Sequence, residues 1–145
     1  MPENIKEFVR SEYVEQSHVA YWLMMHRPKV CFTCSLAGLS GRILGRAKKL
    51  GYQNGTPDLM IFEARVVRSA YSEELKDGSK LQMFPLWSHG LFLEMKITTE
   101  KTKKNGGVSD DQRQYHKELM DRGYTVAVCY GYDEAIKVLT EYLKY

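Results

Sequence analysis

A short apolar run that ends in two charges constrains the fold of this chain more than any other stretch. The segment Leu91-Phe92-Leu93-Glu94-Met95-Lys96 follows Gly90 and is typical of a core β-strand. Successive side chains of a strand point to opposite faces, so Glu94 and Lys96 share one face. An edge strand with a solvated face would also tolerate charges, but it fits poorly with so apolar a run. Because an unpaired buried charge is costly, the pair indicates a functional site.

A second apolar run, Leu59–Phe62, carries a carboxylate at its start. Asp58 follows a loop of turn-forming residues, and a role in that turn is the simpler reading of Asp58 alone. If the two strands are neighbours, however, Asp58, Glu94 and Lys96 converge. Two carboxylates can bind a hard divalent cation, which activates water, while a lysine offsets negative charge that develops on a phosphate. This set predicts metal-assisted phosphodiester hydrolysis.

Helical and strand patterns alternate along the 145 residues, which predicts one α/β domain around a mixed sheet. Besides the two runs above, we predict helices at Ser11–His26, Arg42–Leu50 and Ser109–Arg122, a last helix capped by Asp133, and strands at Val30–Ser35 and Thr125–Tyr130. The segment Arg68–Ser88 contains a turn signal and is interpreted as an inserted hairpin or excursion. Thr98–Gly107 is polar and basic, and we expect a mobile loop there.

Charge and hydropathy limit the partners of the chain. The net charge of +3 and a pI near 8.7 permit a nucleic-acid partner without requiring one. No apolar run reaches the roughly eighteen residues of a membrane span, and the first residues lack the pattern of a signal peptide. We therefore expect an intracellular protein that has no contact with a membrane and whose cysteines are reduced.

Two basic clusters are candidate DNA-binding surfaces. The hypothesis is that they lie on either side of the active site and contact phosphates, although charge runs are usually solvated faces. The clusters are Arg42, Arg46, Lys48 and Lys49 in the second helix and Lys101, Lys103 and Lys104 in the polar loop.

Cys31 and Cys34 raise the alternative of a zinc site. Zinc requires four ligands, and residues three apart on a strand face opposite sides, so we expect buried, reduced thiols instead.

The order of these motifs resembles that of a known nuclease family. Pro57-Asp58 followed by Glu94-Met95-Lys96 resembles the PD-(D/E)XK nuclease superfamily, and within it the chain is most similar to the virus-type replication-repair nuclease (VRR-NUC) family. The similarity covers most of the chain except Arg68–Ser88. It implies a restriction-endonuclease-like fold, with a central mixed β-sheet flanked by helices. The similar blocks are Gly55–Leu59, Gly90–Lys96, Ser109–Gln112, Gly123–Cys129, and Ser11-Glu12 with Glu15-Gln16.

The resemblance also implies roles for individual residues. Asp58 and Glu94 would ligate Mg²⁺, for which Mn²⁺ substitutes, with the backbone carbonyl of Met95 beside them. Lys96 would orient the attacking water or stabilise the pentacovalent phosphate.

Two further residues have competing interpretations. Glu15 would be the acid of the first helix that acts on the metal through water, with Glu12 as its competitor. Gln112 would be a catalytic glutamine, but Ser109-x-x-Gln112 also has the form of a capping box. Some relatives elsewhere in the superfamily have a tyrosine four residues after this glutamine, where this chain has His116.

The family resemblance implies a Mg²⁺-dependent deoxyribonuclease that acts on branched or flapped DNA. Stand-alone viral and phage members look like homodimeric enzymes that resolve Holliday junctions, so we expect this activity, a homodimer, and the cytoplasm of a phage- or virus-infected host cell. The alternatives are a flap or single-strand nuclease of the same fold, a sequence-specific restriction enzyme, and a non-catalytic scaffold that binds branched DNA.

Overall fold

The computed structural model describes residues 10–35, 41–68, 71–74, 76–77, 80–83 and 86–144. Helices and strands alternate as predicted outside the segment between Ile61 and Leu91, which adds further strands. In chain order they are α1 Glu12–His26, β1 Phe32–Cys34, α2 Gly41–Lys49, β2 Leu59–Ile61, β3 Arg65–Arg68, β4 Tyr71–Glu74, β5 Lys80–Met83, β6 Leu86–Ser88, β7 Leu91–Lys96, α3 Asp110–Asp121, β8 Thr125–Tyr130 and α4 Tyr132–Tyr142.

The main sheet has four strands in the order β1-β2-β7-β8. β2 pairs antiparallel with both β1 and β7, whereas β8 pairs parallel with β7, so the sheet is mixed, as predicted. Leu59 lies opposite Leu93. This register places Asp58, the residue before β2, next to Glu94 near the C-terminal end of β7. The two strands are neighbours, which is what the convergence of Asp58 and Glu94 requires.

The core lies between this sheet and the helices α1 and α4. Val19 and Leu23 of α1 are fully buried in it, and α4 contributes Ala135, Leu139 and Leu143. Each of the Val and Leu side chains among them stabilises the fold by about 1.5–3 kcal/mol. Tyr21 of α1 is instead 62% exposed. Apolar residues lie all round α1, so their spacing alone does not define the buried face.

The segment between β2 and β7 forms two antiparallel pairs. β4 pairs with β5, which confirms the predicted hairpin, although the central turn residues 78–79 are outside the described residues. β3 pairs with β6, and this ribbon is connected to the core through Ser88. The hydroxyl of Ser88 donates to the Gly90 carbonyl (2.9 Å) and lies 2.8 Å from the Thr125 hydroxyl and 3.0 Å from that of Tyr142.

Two local features differ from our expectations. Where we expected a mobile loop, residues 98–107 form two 3₁₀ segments, Thr98–Thr102 and Lys104–Gly107, and the Tyr130 hydroxyl donates to the Gly106 carbonyl (2.8 Å). In addition, α4 begins at Tyr132 rather than after an Asp133 cap. No helix in the described part of the chain is long and apolar enough to cross a membrane.

Candidate functional site

The C-terminal end of β7 brings the three predicted chemical groups into one buried cluster. Asp58, Glu94 and Lys96 are 5%, 1% and 7% exposed. Asp58 Oδ2 accepts a hydrogen bond from the backbone N–H of Met95 (2.6 Å), and Lys96 Nζ lies 3.1 Å from Glu94 Oε1. The pairing of β2 with β7 therefore places both carboxylates and the ammonium group as the sequence analysis expected.

The cluster has an excess of negative charge. Burial, and then the charge of Glu94, raise the pKa of Asp58 to about 7, although the Met95 amide and Lys96 oppose the shift. Burial also raises the pKa of Glu12, which is close enough to feel the charges of Lys96 and Glu94. Burial disfavours the ammonium form of Lys96, but the charge of Glu94 and its hydrogen bond prevail and raise the pKa of Lys96. Three carboxylates thus surround one ammonium group, and a bound cation would relieve their repulsion.

The donor set fits a small divalent cation. Glu94 Oε2 is buried and has no hydrogen-bond partner within the described residues, so at least one of its two lone pairs remains available to a cation. The carbonyls of Gly90 and Lys96 accept from residues 125 and 131 on the β8 side. Alternation along β7 therefore places the Met95 carbonyl on the edge that faces Asp58.

No group of three or more His, Cys, Asp or Glu side chains among the described residues is close enough to hold an ion alone. Any cation at this position would therefore need ligands other than these side chains.

The two acids of the first helix, Glu12 and Glu15, have different neighbours in the structure. Glu15 Oε2 accepts the backbone N–H of Tyr132 (2.8 Å) at the start of α4. Glu15 thereby satisfies an N-terminal amide of that helix and favours its dipole, a role that we had assigned to Asp133. Glu12, by contrast, is close enough to the cluster to feel the charges of Lys96 and Glu94.

Gln112 makes both of the contacts that the sequence analysis treated as competing. Its Oε1 accepts the backbone N–H of Ser109 (2.9 Å), and the Ser109 hydroxyl accepts the Gln112 N–H (3.2 Å), which forms the capping box of α3. At the other end of the same amide, Nε2 donates to Glu94 Oε1. The Gln112 side chain therefore both caps the N-terminus of α3 and orients the Glu94 carboxylate.

His116 also lies at the site, which sequence reasoning missed. Its ring is buried, and Nε2 lies 3.5 Å from Glu94 Oε2. The available signal was its position four residues after Gln112, since residues at this spacing share one helix face.

Comparison with known proteins agrees with this geometry. The family model of the VRR-NUC domain matches residues 4–133. The chain belongs to the VRR-NUC domain family. Membership implies nuclease activity on DNA.

A solved structure described as a VRR_NUC domain protein superposes with a TM-score of 0.62 at 22% sequence identity, covering 94% of this chain and 91% of that one. At this identity the likeness shows the fold alone, and together with the family match it indicates a PD-(D/E)XK-like nuclease domain. No curated protein matches the chain.

The two basic clusters of this VRR-NUC domain differ in how many of their cations are paired with carboxylates. Within the described residues, the cations of α2 (Arg42, Arg46, Lys48 and Lys49) are exposed and form no ion pair. In the second cluster, Lys101 pairs with Glu134 and Lys103 with Glu100, whereas Lys104 is exposed. The α2 cluster therefore carries more charge that is available to phosphates.

The cysteines do not lie together in a metal site. Cys31 and Cys34 are exposed free thiols, contrary to our expectation that they are buried, while Cys129 is buried. β1 is the edge strand of the sheet, which explains the exposure of its ends.

Proposed function

We propose that this VRR-NUC domain is a divalent-metal-dependent endonuclease that hydrolyses phosphodiester bonds in branched DNA, with Mg²⁺ as the cofactor and Mn²⁺ as a substitute. The observation that carries the proposal is the buried cluster of Asp58, Glu94 and Lys96 with its excess negative charge. Such a cluster is costly in a core without a cation to balance it.

In this proposal Asp58, Glu94 and the Met95 carbonyl would hold the cation, which would polarise the phosphate and lower the pKa of bound water. Lys96 Nζ, fixed by Glu94, stabilises negative charge on the phosphate or orients the attacking water. Glu12 takes the place that we had expected for Glu15 and hydrogen-bonds to water in the site.

The reaction adds water to phosphorus and breaks the bond to the 3′-oxygen. The products carry a 5′-phosphate and a 3′-hydroxyl, and the leaving oxygen takes up a proton.

DNA would be held by phosphate contacts on the exposed cations of α2. Lys101 and Lys103 would first have to exchange their carboxylate partners for phosphate oxygens, so we assign them the smaller contribution.

We further propose that the domain is a homodimer that resolves Holliday junctions. The ribbon of β3 and β6 exposes Val66, Leu86 and Trp87, which are 42%, 55% and 57% exposed and would be covered in a dimer. Two active sites related by a two-fold axis could cut two strands of a junction symmetrically. Light scattering with and without junction DNA tests the assembly, and a monomer mass in both conditions would refute it.

Cleavage of a panel of end-labelled DNAs tests the activity and its substrate. The panel contains a four-way junction, a flap, a splayed arm, a duplex and a single strand, each with Mg²⁺, Mn²⁺ or EDTA. We expect cutting that needs metal and paired, symmetric cuts in the junction. The Lys96→Ala variant serves as the inactive control.

Two other outcomes favour the alternative functions. Metal-dependent cutting of only the flap or the single strand would indicate a flap or single-strand nuclease of the same fold. Binding of branched DNA without cutting under either metal would indicate a scaffold.

A further inference from the structure

Helix α3 presents two side chains to a single carboxylate. Gln112 and His116 lie four residues apart and therefore share one helix face. Gln112 Nε2 donates to Glu94 Oε1, while His116 Nε2 faces Glu94 Oε2 at 3.5 Å. Each oxygen of Glu94 thus has its own partner from the same helix.

The contact between His116 and Glu94 joins two polar atoms that otherwise lack partners. Both His116 Nε2 and Glu94 Oε2 are buried, and neither has a hydrogen-bond partner within the described residues. Buried polar atoms are seldom left in this state. A small rotation of either side chain would bring the two atoms within hydrogen-bond distance. Since Oε2 can only accept, the imidazole would carry its proton on Nε2.

Helix α3 is well placed to fix the direction of these donors. Its N-terminus is held by the capping box of Ser109 and Gln112, and Leu119 packs against the interior of the protein. Glu94 is on the central strand β7, so both partners in the contact are on regular elements.

We propose that His116 is a positioning residue, which donates from Nε2 to Glu94 Oε2 and, together with Gln112, sets the orientation in which Glu94 binds the cation. The inference rests on the proposed function, in which Glu94 is a metal ligand. Hydrogen-bond partners of ligating carboxylates typically change metal affinity by about 10–100-fold. His116 would therefore act on metal affinity rather than on the reacting phosphate.

Calorimetric titration with Mn²⁺ in the absence of DNA tests this role. We compare the wild type with His116→Phe, which removes the donor, and His116→Gln, which retains an N–H donor. His116→Phe should weaken Mn²⁺ binding about 10–100-fold, and His116→Gln should recover most of the loss. The exposed His26 of α1 provides the matched control, and His26→Phe should bind Mn²⁺ like the wild type.

Different results would overturn the inference and the proposed function. Wild-type affinity in His116→Phe, or equal losses in the Phe and Gln variants, would overturn the positioning role alone. Absence of Mn²⁺ binding by the folded wild type would instead refute the proposed metal site, and the role of His116 with it.

A measurement on the unmutated protein decides the question if His116→Phe does not fold. The ¹⁵N NMR spectrum of histidine-labelled, metal-free protein reports which ring nitrogen carries the proton. A proton on Nε2 of His116 supports the inference, and a neutral ring protonated on Nδ1 overturns it.

Discussion

Glu12 and Glu15 are three residues apart on α1 but contact different parts of the molecule. Glu12 is near the charges of Lys96 and Glu94, whereas Glu15 accepts the Tyr132 amide at the start of α4. The sequence indicated an acid on this helix but could not select between the two. The choice depends on how α1 lies against β7 and α4, and local spacing does not contain that information.

Exchange of each acid for its amide should separate catalysis from stability. Glu12→Gln should slow metal-dependent cleavage by about 10–100-fold with little change in the free energy of unfolding. Glu15→Gln should leave the cleavage rate near that of the wild type and lower the free energy of unfolding by about 1 kcal/mol, because the carboxylate favours the N-terminus of α4. Single-turnover kinetics and urea denaturation measure the two effects. The reverse pattern would contradict this assignment of roles.

The three cysteines should differ in their reaction with a thiol reagent. Burial raises the pKa of Cys129 to about 12, so its reactive thiolate is scarce at neutral pH, whereas Cys31 and Cys34 are exposed. Reaction with a chromogenic disulfide at pH 8 should release two equivalents quickly and the third only after unfolding. Cys129→Ala should leave the fast phase unchanged. Three fast equivalents in the native protein would contradict the burial of Cys129.

At the scale of the elements, the cations of α2 form no ion pair within the described residues, whereas Lys101 and Lys103 of residues 98–107 are paired with carboxylates. Periodicity predicted both α2 and β7, since each has a clear pattern. It did not predict the 3₁₀ segments of residues 98–107, where the hydroxyl of the distant Tyr130 donates to the Gly106 carbonyl. Nor did it indicate that Lys101 and Lys103 are paired with carboxylates.

The salt dependence of DNA binding should report on α2. Replacement of Arg42, Arg46 and Lys49 by glutamine should reduce the slope of log K against log salt by about 0.9 for each duplex phosphate that the variant no longer neutralises. Fluorescence anisotropy with labelled junction DNA in Ca²⁺ measures this slope. As a matched control, replacement of Lys101 and Lys103 should change it less, because these cations are already paired. An unchanged slope in the α2 variant would refute the proposed DNA-binding surface.

At the scale of the whole molecule, the site exists because distant segments meet at one end of the sheet. Asp58 precedes β2, Glu94 and Lys96 are on β7, Glu12 is on α1, and Gln112 is on α3. The three central residues could be predicted, since charges at the ends of apolar runs are conspicuous and their order resembles a known family. His116 was not predicted: its position four residues after Gln112 was a signal, but only the packing of α3 against β7 shows that it faces Glu94.

The most direct test of the account is the cleavage rate of Asp58→Asn at saturating Mg²⁺, measured in single turnovers on the DNA that the wild type cuts best. Asparagine preserves the shape of Asp58 but removes a charge that the cation needs. Since a catalytic cation supplies several kcal/mol of stabilisation to the transition state, we predict a loss of about a thousandfold or more in a folded protein. Cleavage by folded Asp58→Asn at the wild-type rate would contradict the assignment of Asp58 as a ligand of an essential metal.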